Sequence, residues 1–238
     1  FLSLIFLLPP LGAEENSIFW KLTSPNGSEH YLYGTIHTDD NRVSDINTGV
    51  IEALKSSQIF LMETMEISNP KLLLMNSIDY SLYFNESDLD KIKLLANFHT
   101  MSFEQVLKMK PWLLAVIFDS PRPITPFNLD NLLKTKARDL GLRIKGLETS
   151  EEHFQVLDNF SIQEQINFLK KVPEKSLEQK QKDYERLMSA YLSQDLNNII
   201  KINEGLTSKL VSKSMWIKIK KKLLINRNKL FFNRAHKL

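Results

Sequence analysis

The segment NLDNLLKTKARDLGLRIKGLE, residues 128–148, constrains the fold more tightly than any other stretch of the chain. Leu129, Leu132, Leu133, Ala137 and Leu140 recur at helical spacing and form one apolar stripe. Gly141 stands where a helix C-terminal cap belongs, because glycine reaches the left-handed conformation without a Cβ clash. The strand-like run RIKGLE follows almost at once. A helix that passes directly into a short apolar strand is a unit of α/β architecture.

Shorter signals extend that reading in both directions. SIFWKLTSPNGSEHYLYGTIH reads as a β-hairpin closed by SPNGS. SDINTGVIEALKSS follows as a helix, with Ile46, Val50, Ile51 and Leu54 on one face. QIFLME is an apolar run without alternation, as in a strand buried on both faces. Residues 70–118 read as mostly helical, punctuated by Pro111, and SPRPITP ends that stretch as a proline-rich loop. From Ser161 to about Glu204 the pattern is helical again, with Tyr184, Leu187, Met188, Tyr191 and Leu192 on one face. The expected fold is α/β, a mixed central sheet with flanking helices and a largely helical insertion at about 65–125.

The two ends differ from the middle. FLSLIFLLPPLGA, residues 1–13, has the length of a signal-peptide apolar region, whereas a spanning helix needs about 20 apolar residues. It is read as a signal remnant cleaved after Ala13, with residues 14–238 as a single domain. That implies an exported protein, periplasmic or otherwise extracytoplasmic. Residues 209–238 hold ten of the 31 Lys and Arg and no Asp or Glu, leaving 21 basic against 28 acidic residues before them. Such a tail suits an ordinary amphipathic helix or peripheral contact with an anionic membrane; nucleic acid ranks last and is not expected as a partner.

Three expected strands end in a group able to bind metal: YLYGTIH in His37, QIFLME in Glu63 and RIKGLE in Glu148. Sites in α/β sheets gather at the carboxyl ends of strands, so parallel neighbours would bring one imidazole and two carboxylates together. Gly34 would let the chain approach closely and turn His37 inward. The set suits Mn, Fe, Co or Zn, which can generate hydroxide and polarise a carbonyl, or leaves one glutamate as general base. Each residue also has an ordinary reading: His37 as a hydrogen-bonded loop residue, Glu148 as a charge before a helix capped by Thr149 or Ser150. His30, His99, His153 and His236 read as surface or core residues. Cysteine is absent, which removes disulfides, thiolate zinc sites and cysteine nucleophiles. No phosphate-binding loop, dinucleotide fingerprint or serine elbow is visible, which argues against nucleotide chemistry.

YLYGTIH, LMETMEI, MKPWLLAVI, NLDNLLKTKARDLGLRIKGLET, SEEHFQVLDNFSIQEQ and LMSAYLSQDLNNI occur in the order and wording of the TraB/GumN family, which the chain resembles from about Phe19 to Asn228. That family includes Tiki-type membrane-associated metalloproteases and is distantly similar to erythromycin-esterase and ChaN-like proteins. The resemblance implies a metal-dependent hydrolase of the cell envelope, acting on a peptide or other carbonyl-containing substrate. It places the G-x-x-H motif at Gly34–His37, the acidic residue of the next strand at Glu63 and the LET element at Leu147–Thr149. Asp130 and Arg227 become further pocket candidates. The family's second G-x-x-H is missing: the chain stops ten residues after Asn228, and His236 in NRAH lacks the glycine. A fragment, incomplete at the C-terminus, is therefore expected. The competing expectations are an inactive truncated member, or a non-catalytic envelope protein that binds a peptide pheromone or polysaccharide precursor.

Overall fold

The computed structural model describes residues 17–65, 69–75, 78–125 and 128–238. The expected signal remnant lies outside the described residues. Strands β1 (Phe19–Thr23) and β2 (Glu29–Tyr33) pair antiparallel, from Phe19 opposite Tyr33 to Thr23 opposite Glu29. The turn between them closes as the sequence indicates, with Gly27 at φ +84°. Helix α1 (Thr48–Ser56) starts from an Asn47 cap and leads into β3 (Ile59–Thr64).

The stretch expected to be a helical insertion holds α2 (Glu86–Phe98), α3 (Phe103–Lys108) and α4 (Pro111–Asp119). Pro111 begins α4 rather than interrupting it, since its missing N–H would lack a helical partner in that first position anyway. Helix α5 (Leu129–Asp139) then ends at Gly141, whose φ is +76°, and the Gly141 and Leu142 amides donate to the Arg138 and Ala137 carbonyls. Strand β4 (Arg143–Glu148) follows and pairs parallel with β3, placing Thr64 opposite Glu148.

The chain is α/β as the pattern implies, but its strands do not form one central sheet among the described residues. They make two two-stranded sheets, β1–β2 and β3–β4. β2 pairs with β1 alone among the described residues and does not join β3 and β4 as a third parallel strand.

Helices α6 (Ser150–Asp158), α7 (Ile162–Lys171), α8 (Leu177–Leu192) and α9 (Leu196–Leu210) complete the body. The basic tail forms α10 (Lys213–Ile219), a π-helical segment Lys220–Asn226 and α11 (Arg227–Ala235). Several of its cations are engaged within the protein: Lys218 with Glu164, Lys220 with Glu204 and Arg234 with Glu152. No helix among the described residues is long and apolar enough to cross a membrane.

Two apolar cores organise these elements. One gathers Trp20, Ile36, Val50, Leu129, Leu133, Met188 and Ile199 from the hairpin and its following loop, α1, α5, α8 and α9. The other gathers Ile92, Val106, Leu114, Phe118, Ile166, Phe168 and Ile219 from α2, α3, α4, α7 and α10. The helical stretch between β3 and α5 therefore packs mainly on α7 and the tail, leaving the strand ends near α5, α6 and α11.

Candidate functional site

The GTIH loop is fixed by its neighbours rather than by glycine. The Gly34 amide extends the hairpin ladder by donating to the Ile18 carbonyl at 2.7 Å, and its own carbonyl accepts from the Tyr191 hydroxyl at 3.0 Å. Ile36 is buried in the first core, which holds the flanking residues Thr35 and His37 on the other side of the backbone. A Cβ at Gly34 would meet Ile18 at 3.7–3.8 Å, an ordinary contact, and Gly34 has no positive φ. The expectation that glycine itself turns His37 inward is therefore corrected. Gly34→Ala is expected to change stability by less than about 1 kcal/mol, measured by urea unfolding.

His37 lies on this loop, four residues beyond the end of β2 rather than at a strand end. Its Nδ1 is 2.7 Å from Asp130 Oδ2, and the Thr35 hydroxyl donates to Asp130 Oδ1 at 2.8 Å. Asp130 stands in the first turn of α5, where the helix N-terminus favours negative charge. Burial opposes its ionisation, but the His37 and Thr35 hydrogen bonds outweigh that and hold the carboxyl below its usual range. An ionised carboxylate only accepts, so His37 Nδ1 carries a proton, and in the neutral ring Nε2 holds the lone pair. Burial pulls the His37 imidazole down; the Asp130 bond and charge, with the charge of Glu63, more than reverse this and raise its pKa above the ordinary value.

Glu63 is the penultimate residue of β3 and Glu148 the last of β4, with Thr64 opposite Glu148, and a cation stands between the two carboxylates. Arg227 Nε donates to both Glu148 oxygens at 3.0 Å, and Nη2 donates to Glu63 Oε2 at 2.7 Å and also to Glu148 Oε1. The side chains of Arg227, Glu63 and Glu148 are only 9%, 13% and 3% exposed, which makes this a buried ion triad. Burial raises the Glu148 pKa, yet the hydrogen bonds from His153 and Arg227 prevail and its pKa is lowered. The guanidinium also packs 4.7 Å from the Phe231 ring one turn further along α11. Arg227 follows directly on the π-helical segment, a local change of helical register of the kind found at functional sites.

The family resemblance implies a divalent ion at these residues. His37 is joined to Asp130 through one nitrogen, while Glu63 and Glu148 both face the guanidinium. Among the described residues no three His, Asp or Glu side chains converge on a common point suited to a metal. In this arrangement the residues do not fit a metal centre, because Arg227 supplies the positive charge that the carboxylates require.

The structure also brings in residues that sequence reasoning left aside. His153 Nδ1 is 2.7 Å from Glu148 Oε1 and 2.8 Å from Arg227 Nη2, so it belongs to the carboxylate cluster rather than to the plain surface or core. The signal was local: Thr149 caps α6 through a capping box with Glu152, and His153 lies one turn inside, directed back at the strand end. Arg234 donates to the Leu147 carbonyl and to both oxygens of Glu152, tying α11 to this cap. Gly146 is the glycine that space requires. A Cβ there would meet Met65 N and Glu148 O at 3.2 Å and Met65 Cγ at 3.1 Å. His30 and His236 are exposed, and His99 is buried in the helical core.

No curated protein and no solved structure matches the chain. The model of the TraB/PrgY/gumN family matches residues 18–238, which include the hairpin, the GTIH loop, both glutamates and Arg227. A match over that span, carrying every residue of the cluster described above, places the chain in the TraB/PrgY/gumN family.

Proposed function

We propose that this chain is a hydrolase of the cell envelope in which His37 activates water for attack on an amide or ester carbonyl. The observation that supports the reading best is the 2.7 Å contact between His37 Nδ1 and Asp130 Oδ2. It fixes the tautomer, directs Nε2 outward and stabilises the imidazolium formed when Nε2 takes a proton from water. The same nitrogen then returns that proton to the leaving nitrogen or oxygen. The ring is about a third exposed, so water and substrate can reach it. Arg227, Glu63 and Glu148 act as positioning residues that lock the ends of β3 and β4 beside this base. Peptides rank first as substrates because the motifs resemble those of Tiki-type proteases.

Metal dependence enters this reading only if a divalent ion displaces Arg227 from the two glutamates. The test is hydrolysis of fluorogenic peptides and of a nitrophenyl ester, with and without a chelator. His37→Gln is expected to lower kcat/KM by about 10²-fold or more. The acid limb of the pH profile is expected to have its midpoint above 6.5, because a raised pKa keeps His37 protonated, and useless as a base, to higher pH. Activity that vanishes with chelator and returns with Mn, Co, Zn or Fe would replace this reading with the metal-dependent one. Ligand binding without any hydrolysis would favour an envelope binding protein.

A further inference from the structure

A second candidate site borders the loop that carries His37: Tyr184 is part of its lining, and the Tyr184 hydroxyl is 2.8 Å from the Thr38 hydroxyl. Helices α4, α8, α9 and α10, with the π-helical segment, line a half-open cleft of about 140 Å³. Its walls are apolar, formed by residues such as Val116, Leu206, Leu210, Trp216 and Leu223, while Lys175, Lys180, Asp119 and Asp183 gather at its polar part. A benzene-sized guest fits a space of about 150 Å³, so this cleft has room for roughly six carbon atoms.

The polar part sets the charge of that guest. Lys175 Nζ is 3.3 Å from both Asp119 Oδ1 and Asp183 Oδ2, and Lys180 Nζ donates to the Phe118 carbonyl at 2.8 Å. The two cations and two anions offset one another, leaving no surplus charge to receive an ionic head. Burial pushes the Lys180 ammonium down to about 8 and the Asp119 carboxyl up, so the region is already poor at solvating ions. A neutral hydrogen-bonding head faces no such penalty, because hydroxyls and carboxylates on the wall can donate to it and accept from it.

We propose that this cleft binds a small uncharged amphiphile, an alkyl or acyl chain of about six carbons ending in a hydroxyl or amide. The inference is independent of the hydrolytic reading. It is tested by titrating the full chain with 1-hexanol, hexanamide, hexanoate and hexylamine while following tryptophan emission, since Trp216 lines the cleft. Saturable changes are expected for 1-hexanol and hexanamide, half-complete on the order of 1 mM for so few atoms. At least tenfold weaker response is expected for hexanoate and hexylamine, and Trp216→Phe should remove the signal. Leu206→Trp fills the space and is expected to abolish binding with an unchanged circular-dichroism spectrum. If that variant does not fold, Thr207→Phe serves the same purpose at the same wall. No saturable response to 1-hexanol, equal binding by the filled variant, or preference for either ion would overturn the proposal.

Discussion

Replacing Arg227 with methionine is expected to destabilise the protein by about 3–5 kcal/mol, the usual result of removing one partner from a buried ion pair. The loss is large because Glu148 and Glu63 remain almost inaccessible to water when the guanidinium goes. Methionine keeps the apolar contact with Phe231, so the change isolates charge and hydrogen bonding. The pH dependence supplies a second signature. In the native protein Glu148 has a lowered pKa, so its contribution is present above the unfolded value and is lost as pH falls. Without Arg227 the His153 hydrogen bond alone opposes burial, so the Glu148 pKa rises and its contribution above the unfolded value shrinks. The gap between Arg227→Met and the native protein should therefore narrow as pH falls below about 5, through the carboxylate range, by urea unfolding. Adding Glu63→Gln and Glu148→Gln should recover much of the loss at pH 7, since neutral amides do not need the cation. A loss below 1 kcal/mol, or a gap independent of pH, would show that water compensates the carboxylates.

The same cluster shows how far local sequence signals reach. Gly141 after the Leu129–Leu140 stripe, SPNGS between two strands, and a cap at Thr149 or Ser150 each depend on neighbours within a few positions; each element forms, with Thr149 as the cap. Glu63 and Glu148 were singled out because each ends an apolar run, QIFLME and RIKGLE, and the two runs pair in parallel as β3 and β4. Their shared cation was a different matter. Arg227 lies 79 residues beyond Glu148, and an arginine that neutralises two carboxylates has no characteristic spacing to them. Two acids converging on a strand edge were therefore read as a site for a metal, and the family resemblance named Arg227 as a pocket candidate without indicating that it stands between them. His37 was misplaced for a related reason. β2 exchanges hydrogen bonds with β1 and ends at Tyr33, while the loop beyond it is held by Asp130 and Tyr191, which no local pattern connects to it.

Acidification from pH 7 to pH 4 is expected to remove about 3 kcal/mol of stability through His99 alone. The imidazole is 8% exposed, between the Phe98 and Phe118 rings, and neither ring nitrogen has a hydrogen-bond partner among the described residues. Burial, with the charges of Lys180 and Arg122, pushes its pKa from 6.5 down to about 4. Between those values the unfolded chain binds a proton that the folded protein refuses, so stability rises with pH and is fully present only above 6.5. Each unit of separation is worth about 1.4 kcal/mol, which gives the stated total. His99→Leu removes both the titration and the two unpaired nitrogens. At pH 7 the variant should equal or exceed the native protein, since a buried polar ring without partners costs about 1–3 kcal/mol. Its advantage should then widen by about 3 kcal/mol on descending to pH 4. Asp40, Glu148 and Glu152, whose pKa values are lowered, also weaken the fold in acid, but they do so equally in both proteins and cancel in the difference. Parallel urea melts at pH 7.5, 5.5 and 4.5 measure that difference. A constant offset between the two proteins would mean that His99 accepts its proton in the folded state, which requires the helical core around Phe118 to admit water. A widening gap would mean that this core stays closed while the surface charges titrate around it.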